Sequence, residues 1–79
     1  MKRYRDVSGD SGVAFYDYGD VWIDVVFKSS NVIYRYTNAS AGARRIRDMK
    51  RLADAGNGLS TYISQHIREN YESRRPLRR

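Results

Sequence analysis

The stretch VWIDVVFK (residues 21–28) shows the clearest strand pattern in the chain. Its side chains fall into two alternating sets, as expected for a β-strand, in which successive side chains point to opposite faces of the sheet. One set is uniformly apolar and the other is mixed: Val21, Ile23, Val25 and Phe27 against Trp22, Asp24, Val26 and Lys28. The pattern predicts a strand that buries its apolar set under a covering layer and turns the mixed set to the other face.

Two further strand signals flank this stretch. SGVAFYDY (residues 11–18) precedes it across Gly19-Asp20, and VIYRYT (residues 32–37) follows it across the polar turn SSN (residues 29–31). Both flanking stretches contain β-branched and aromatic residues, and the connections are short. We therefore predict a three-stranded antiparallel meander.

The pattern changes to helix signals after residue 37. NASAGARRIRDMKRLADAG (residues 38–56) is rich in alanine and arginine, and either Asn38 or Ser40 suits an N-cap. The glycines of the sequence GNG that begins at residue 56 suit a helix stop. LSTYISQHIRENY (residues 59–71) carries one apolar stripe at helical spacing. Two helices packed on one face of the sheet predict an α+β fold, a two-layer βββαα sandwich.

A chain of 79 residues has room for one domain. We assign residues 11–71 to this domain, residues 1–10 to a flexible N-terminal segment and residues 72–79 (ESRRPLRR) to a basic C-terminal tail. No apolar run approaches the roughly 20 residues that a membrane-spanning helix needs. No apolar segment follows the basic residues at the start, so no secretory signal and no membrane partner are predicted. The absence of cysteine excludes disulfides and fits the cytoplasm, where we expect the protein to lie.

The excess positive charge lies entirely in the second half of the chain. Residues 1–38 hold five basic and five acidic side chains, whereas residues 39–79 hold ten basic and four acidic, which accounts for the net charge of +6. Cations fall in one sector of the first predicted helix and in the tail: Arg44, Arg47, Lys50 and Arg51, then Arg74, Arg75, Arg78 and Arg79. Guanidinium groups suit phosphate oxygens, so these residues favour a nucleic-acid backbone as partner. The alternative is an ordinary solvated helix face, with Asp48 and Asp54 interspersed, and a solubilising tail.

Aromatic residues are more numerous than one core face of the sheet can hold. If Tyr34 and Tyr36 share the face of Val25, they belong to the core, and Trp22 and Arg35 then lie on the open face. A slip of one residue in register exchanges the two faces. An open sheet with aromatic and arginine side chains is typical of surfaces that stack nucleobases. An exposed apolar patch is also typical of protein interfaces.

Candidate catalytic groups are few. His66 is the single histidine, and its place in the apolar stripe of the second helix predicts a buried imidazole with a hydrogen-bond partner. The alternative is a site histidine at the edge of a groove. The serines beside it lack the strained turn and the oxyanion donors that a serine nucleophile needs. One histidine cannot make a histidine-rich metal site. Asp17 and Asp20 are expected to shape a turn, and Asp24 is expected to be solvated or paired with Lys28 or Arg35. We therefore predict no catalytic residue, no metal and no cofactor, and a protein that is not an enzyme.

Several short motifs, in order from about residue 11 to residue 71, carry a resemblance to a known family. They are Tyr16-Asp17, Ile23-x-Val25-x-Phe27 with Lys28, Tyr34-x-Tyr36, and Tyr62-Ile63-x-x-His66-Ile67-Arg68-x-x-Tyr71. The chain resembles the KTSC family, small bacterial domains that occur alone or at the C-terminal end of some lysyl-tRNA synthetases. It departs from the family pattern at Asn38-Ala39, where a valine-proline pair is common, and in the linker DAGNG, which is longer than usual. The resemblance implies the fold, and the association with a tRNA enzyme implies an RNA-binding role.

Together these patterns predict a small non-catalytic module that binds RNA or another nucleic acid. Phosphates are expected at Arg44, Arg47, Lys50, Arg51 and the tail. Bases are expected to stack on Trp22, with Arg35 nearby. The alternative is a protein-interaction module or a homodimer that uses the open sheet face.

Overall fold

A five-stranded antiparallel sheet runs through the structure, a computed structural model that describes residues 1–77. Each strand lies beside the next in chain order: β1 (Lys2–Arg3), β2 (Val13–Tyr18), β3 (Trp22–Phe27), β4 (Val32–Thr37) and β5 (Ser73–Pro76). The α+β class and the central meander of β2, β3 and β4 are confirmed. The prediction of three strands was incomplete, because both ends of the described chain add an edge strand.

Backbone hydrogen bonds hold the two edge strands in place. Directly after β1, the amide of Tyr4 donates to the carbonyl of Ala14 at 2.9 Å, and the Tyr4 side chain is buried. Directly before β5, the amide of Glu72 donates to the carbonyl of Arg35 at 2.7 Å. The segments assigned from the sequence to a flexible N-terminus and a basic tail therefore supply two strands and one core tyrosine.

Four helical segments, rather than two, follow β4 within residues 1–77. They are α1 (Asn38–Ala41), α2 (Ala43–Ala55), α3 (Leu59–Tyr62) and a π-helical turn that continues α3 (Ile63–Ile67). Gly42, with a φ of 96°, interrupts the first predicted helix. The N-cap of α1 is Thr37 rather than Asn38 or Ser40. Its hydroxyl accepts from the amide of Ser40, and the Ser40 hydroxyl accepts from the amide of Thr37, both at 3.0 Å, which is a capping box.

The helices cover one face of the sheet, and the core lies between the two layers. Ile23 and Val25 of β3, Tyr36 of β4 and Met49 of α2 are at most 1% exposed. Ile23 pairs with Tyr36 and Val25 pairs with Tyr34 in the β3–β4 register. Paired residues of an antiparallel sheet share a face, so the structure decides between the two faces that the sequence left open: Tyr34 and Tyr36 lie on the covered face.

The hydroxyl of Tyr36 finds a backbone partner rather than His66. It lies 3.4 Å from the carbonyl oxygen of Arg68, to which it donates. Burial raises the pKa of Tyr36 to about 12, so the buried hydroxyl stays protonated at neutral pH.

Candidate nucleic-acid interface

The outward side of α2 carries a row of exposed arginines, Arg44, Arg47 and Arg51, which we call the α2 ridge. The opposite side of the helix buries Ile46 and Met49 in the core. Because side chains three and four residues apart share one side of an α-helix, burying the apolar set turns the arginines to solvent. The ridge matches the cationic sector that the sequence predicts, with one exception.

Lys50 is the exception in that sector. It is only partly exposed, and its Nζ donates to the carbonyl of Asp20 at 2.9 Å in the β2–β3 turn. The same ammonium group lies 5.3 Å from the centre of the Tyr18 ring. Lys50 therefore ties α2 to the end of the first hairpin.

Members of the α2 ridge differ in how far their charge is already paired. Arg51 lies 3.6 Å from the carboxylate of Asp48, an exposed i,i+3 pair. Arg44 and Arg47 have no ion-pair or side-chain hydrogen-bond partner among residues 1–77. Exposed ion pairs of this kind are weak, so all three guanidinium groups remain accessible to an anion.

Trp22 and Arg35 lie on the open face of the sheet, as predicted. They flank Ile23 and Tyr36 in the strands, and side chains alternate between faces. The Arg35 guanidinium carbon lies 4.2 Å from the centre of the Trp22 ring. Gly19 also lies against the indole, and a Cβ atom added to it would come within 2.4 Å of Nε1.

Arg35 is not a free cation. Its Nε and Nη2 donate to the two carboxylate oxygens of Asp24 at 2.7 and 3.0 Å. That hydrogen bonding raises the pKa of Arg35 further. Arg75 of β5 donates to the same carboxylate at 3.3 Å. Asp24 is 4% exposed, because Arg35 on the adjacent strand β4 and Arg75 on β5, the next strand beyond it, cover it. Of the two alternatives expected for Asp24, a solvated carboxylate and a pair with Lys28 or Arg35, the pair with Arg35 is therefore the one found.

The predicted binding residues therefore form two separate groups on opposite sides of the sheet. The α2 ridge lies on the outer side of the helical layer, and Trp22 with Arg35 lies on the uncovered sheet face. From the predicted tail, Arg75 is paired with Asp24, Arg74 is exposed in β5, and Arg78 and Arg79 lie outside the described residues. The α2 ridge, predicted to contact phosphates, and Trp22, predicted to stack with bases, therefore do not form one continuous surface.

His66 differs from its prediction: it is exposed rather than buried. The π-helical turn is wider than an α-helical turn, and it keeps Ile63 and Ile67 in the core while His66 points outward. The imidazole instead lies beside the Tyr62 ring, with a centroid separation of 4.7 Å. The sequence pattern placed Tyr62 and His66 in an apolar stripe and did not indicate that their rings form a pair. Their i,i+4 spacing is a signal for such a contact on one side of a helix.

A second cluster that the sequence did not indicate links the end of α2 to the sheet. The carboxylate of Asp54 accepts from the hydroxyls of Tyr16 at 2.9 Å and Tyr18 at 2.6 Å. The hydrogen bond from Tyr18 is the main cause of a lowered pKa for Asp54. Burial, and then the bond to Asp54, raises the pKa of Tyr16 to about 12. These hydrogen bonds link α2 to β2. Because both tyrosine hydroxyls and the Asp54 carboxylate are engaged with one another, the cluster offers no free acid–base pair.

Within residues 1–77, no group of three or more histidine, cysteine, aspartate or glutamate side chains is placed to hold a metal ion. None of the helices in that range is both long and apolar enough to cross a membrane.

No family model, curated protein or solved structure matches the chain. The resemblance to the KTSC family therefore stays a prediction that depends on the motifs quoted above.

Proposed function

We propose that this protein is a small non-catalytic module that binds a nucleic-acid strand, with the phosphates on the α2 ridge. One observation carries the proposal: Arg44, Arg47 and Arg51 are exposed along one side of a helix, and two of them have no anionic partner among residues 1–77. The resemblance to the KTSC family supports RNA as the first ligand to test. The absence of cysteine supports a cytoplasmic location.

The spacing of the α2 ridge suits a phosphate chain. At a rise of about 1.5 Å per residue, Arg44 and Arg51 are about 10 Å apart along the helix axis. Successive phosphates of one strand rise by about 3.4 Å along a duplex axis, so the α2 ridge is long enough to contact more than one phosphate of a strand. Each guanidinium offers a planar fork of N–H donors to phosphate oxygens.

A protein interface on the open sheet face is the second candidate. Val21, 53% exposed, lies beside the half-buried Trp22 at one end of this face, and Phe15, 38% exposed, lies towards the other end, opposite Val26. Val21 was expected in the buried apolar set, but it precedes β3 and lies in the turn. Apolar side chains grouped at the surface are typical of protein contacts. This candidate predicts a mass that rises with protein concentration and a shift to monomer in Trp22→Asp.

The salt dependence of binding tests the first candidate. Fluorescence anisotropy of a labelled single-stranded RNA gives the affinity over a series of salt concentrations. For single strands, log K falls against log salt with a slope of about −0.7 for each neutralised phosphate. The variant Arg44→Gln/Arg47→Gln removes two contacts, so its slope should be shallower by about 1.4.

Lys2→Gln/Arg3→Gln is the matched control. It removes the same charge from two exposed cations of the edge strand β1. We expect the control to bind with a slope close to that of the unmodified protein. Equal losses in the two variants would mean that only net charge matters, and absence of binding at low salt would refute the proposal.

A further inference from the structure

A depression of about 570 Å³ opens beside the start of α2, on the same side of the sheet as the α2 ridge. One wall is formed by Tyr62 and His66, at the junction of α3 and the π-helical turn. Arg44, Arg45 and Asp48 of α2 line another part of it. Arg44 belongs both to this depression and to the α2 ridge, so the two are continuous.

The Tyr62 side chain and the backbone of His66 are both held by hydrogen bonds to α2. The planes of the two rings are tilted by 46° at a centroid distance of 4.7 Å. The Tyr62 hydroxyl donates to the Asp48 carboxylate at 3.3 Å, and Arg45 Nη1 donates to the His66 carbonyl at 2.6 Å. These bonds tie both ends of the turn to α2, so the exposed imidazole extends from a fixed backbone.

The remaining wall leaves room for a flat ligand. It is formed by Ala41, Gly42 and Ala43, which have no bulky side chains. The one carboxylate in the depression, on Asp48, is already engaged by the Tyr62 hydroxyl and lies near Arg51. The site thus combines aromatic rings, small residues and arginines, which is the combination that proteins use to stack unpaired bases.

We propose that an unpaired nucleobase stacks on the Tyr62–His66 pair while the adjacent phosphates contact Arg44 and Arg47. This inference rests on the proposed function and names its ligand class, a single-stranded nucleic acid. Bases of a duplex are stacked on each other and do not offer a free ring face to a side chain. The base therefore binds on the helical side of the sheet, and not at Trp22 on the uncovered face.

Two ligands separate base contacts from phosphate contacts: a single-stranded oligonucleotide and its abasic counterpart with the same number of phosphates. His66→Ala should weaken binding of the intact strand by about fivefold or more, since stacking contributes about 1–3 kcal/mol per base. Binding of the abasic strand should not change. Gln65→Ala, at the exposed neighbouring position, is the control and should bind both strands like the unmodified protein.

Trp22 is the only tryptophan and provides a second, independent readout. Its emission should stay constant while a saturating oligonucleotide binds. His66→Asn, which keeps a polar side chain and removes the ring, should reproduce the loss seen with alanine if stacking is the cause, and circular dichroism confirms that each variant is folded.

The outcomes distinguish the two proposals. Equal effects of His66→Ala on intact and abasic strands, or no effect on either, would overturn base stacking at this site while phosphate binding still stands. Quenching of Trp22 emission would place the bases on the open sheet face instead. Failure of the unmodified protein to bind either strand would overturn both proposals.

Discussion

The carboxylate of Asp24 fastens three strands on the open face, so its removal should destabilise the protein by a measurable amount. Asp24 on β3 accepts two hydrogen bonds from Arg35 on β4 and one from Arg75 on β5. Its side chain is 5% exposed, whereas those of Arg35 and Arg75 are 31% and 49% exposed. Asp24→Asn keeps the shape and removes the charge.

The expected cost follows from these exposures. A hydrogen bond to a charged group contributes about 1.5–3 kcal/mol, but both arginines regain water when the pair is broken. We therefore take about 1.5 kcal/mol for the two bonds to Arg35 and about 0.5 kcal/mol for the longer bond to Arg75. The sum, about 2 kcal/mol, is a large part of the stability expected for a small domain.

Urea unfolding followed by circular dichroism measures this loss. For a small protein with a slope near 1 kcal/mol per molar urea, the midpoint should fall by about 2 M. Asp17→Asn is the control: Asp17 lies opposite Asp24 on β2 and has no arginine partner among residues 1–77. Removing this like charge should leave the midpoint unchanged or slightly higher. A change below about 0.5 kcal/mol in Asp24→Asn would refute the role assigned to the carboxylate.

Two further predictions concern pH and backbone strain. Burial raises the pKa of Tyr16 and Tyr36 to about 12 in the folded protein, against 10.0 when exposed. The stability that these two tyrosines contribute should therefore be fully present below pH 10 and fall between pH 10 and 12, as urea unfolding at each pH in this range will show; a flat profile from pH 9 to 12 would contradict this. Gly56→Ala should destabilise the protein by about 1–2 kcal/mol or more, because Gly56 has a φ of 71° and an added Cβ would lie 2.7 Å from Cβ of Arg5. Gly9→Ala, at a φ of 83° with open space around it, should cost less, and an equal cost would rule out the contact with Arg5.

The alternation within each strand was predictable from the sequence because it is a local property, whereas the face of β4 that meets the core depends on the register between strands and was left open. Tyr34 and Tyr36 follow the same period as Ile23 and Val25, and the register pairs them as the pattern indicates. The two edge strands were not predictable in this way. Ser73–Pro76 is exposed throughout and carries no apolar alternation; its pairing depends on backbone hydrogen bonds and on the distant partner Asp24.

The candidate site was predicted in part. The α2 ridge follows from helical spacing, whereas the engagement of Lys50 with Asp20 depends on how the hairpin meets the helix. The predicted burial of His66 was wrong because the prediction assumed α-helical spacing through a segment that forms a π-helical turn. The Tyr62–His66 pair became a candidate site only when the structure placed it beside Arg44.

The central claim is that a single nucleic-acid strand binds on the helical side of the sheet. It is tested most directly by a two-dimensional NMR titration of labelled protein with a short single-stranded RNA. We expect the amide signals of Arg44, Arg47 and His66 to move together and saturate, while the indole N–H signal of Trp22 stays in place. Movement confined to Trp22 and its neighbours on the open sheet face, or no movement at low salt, would contradict it.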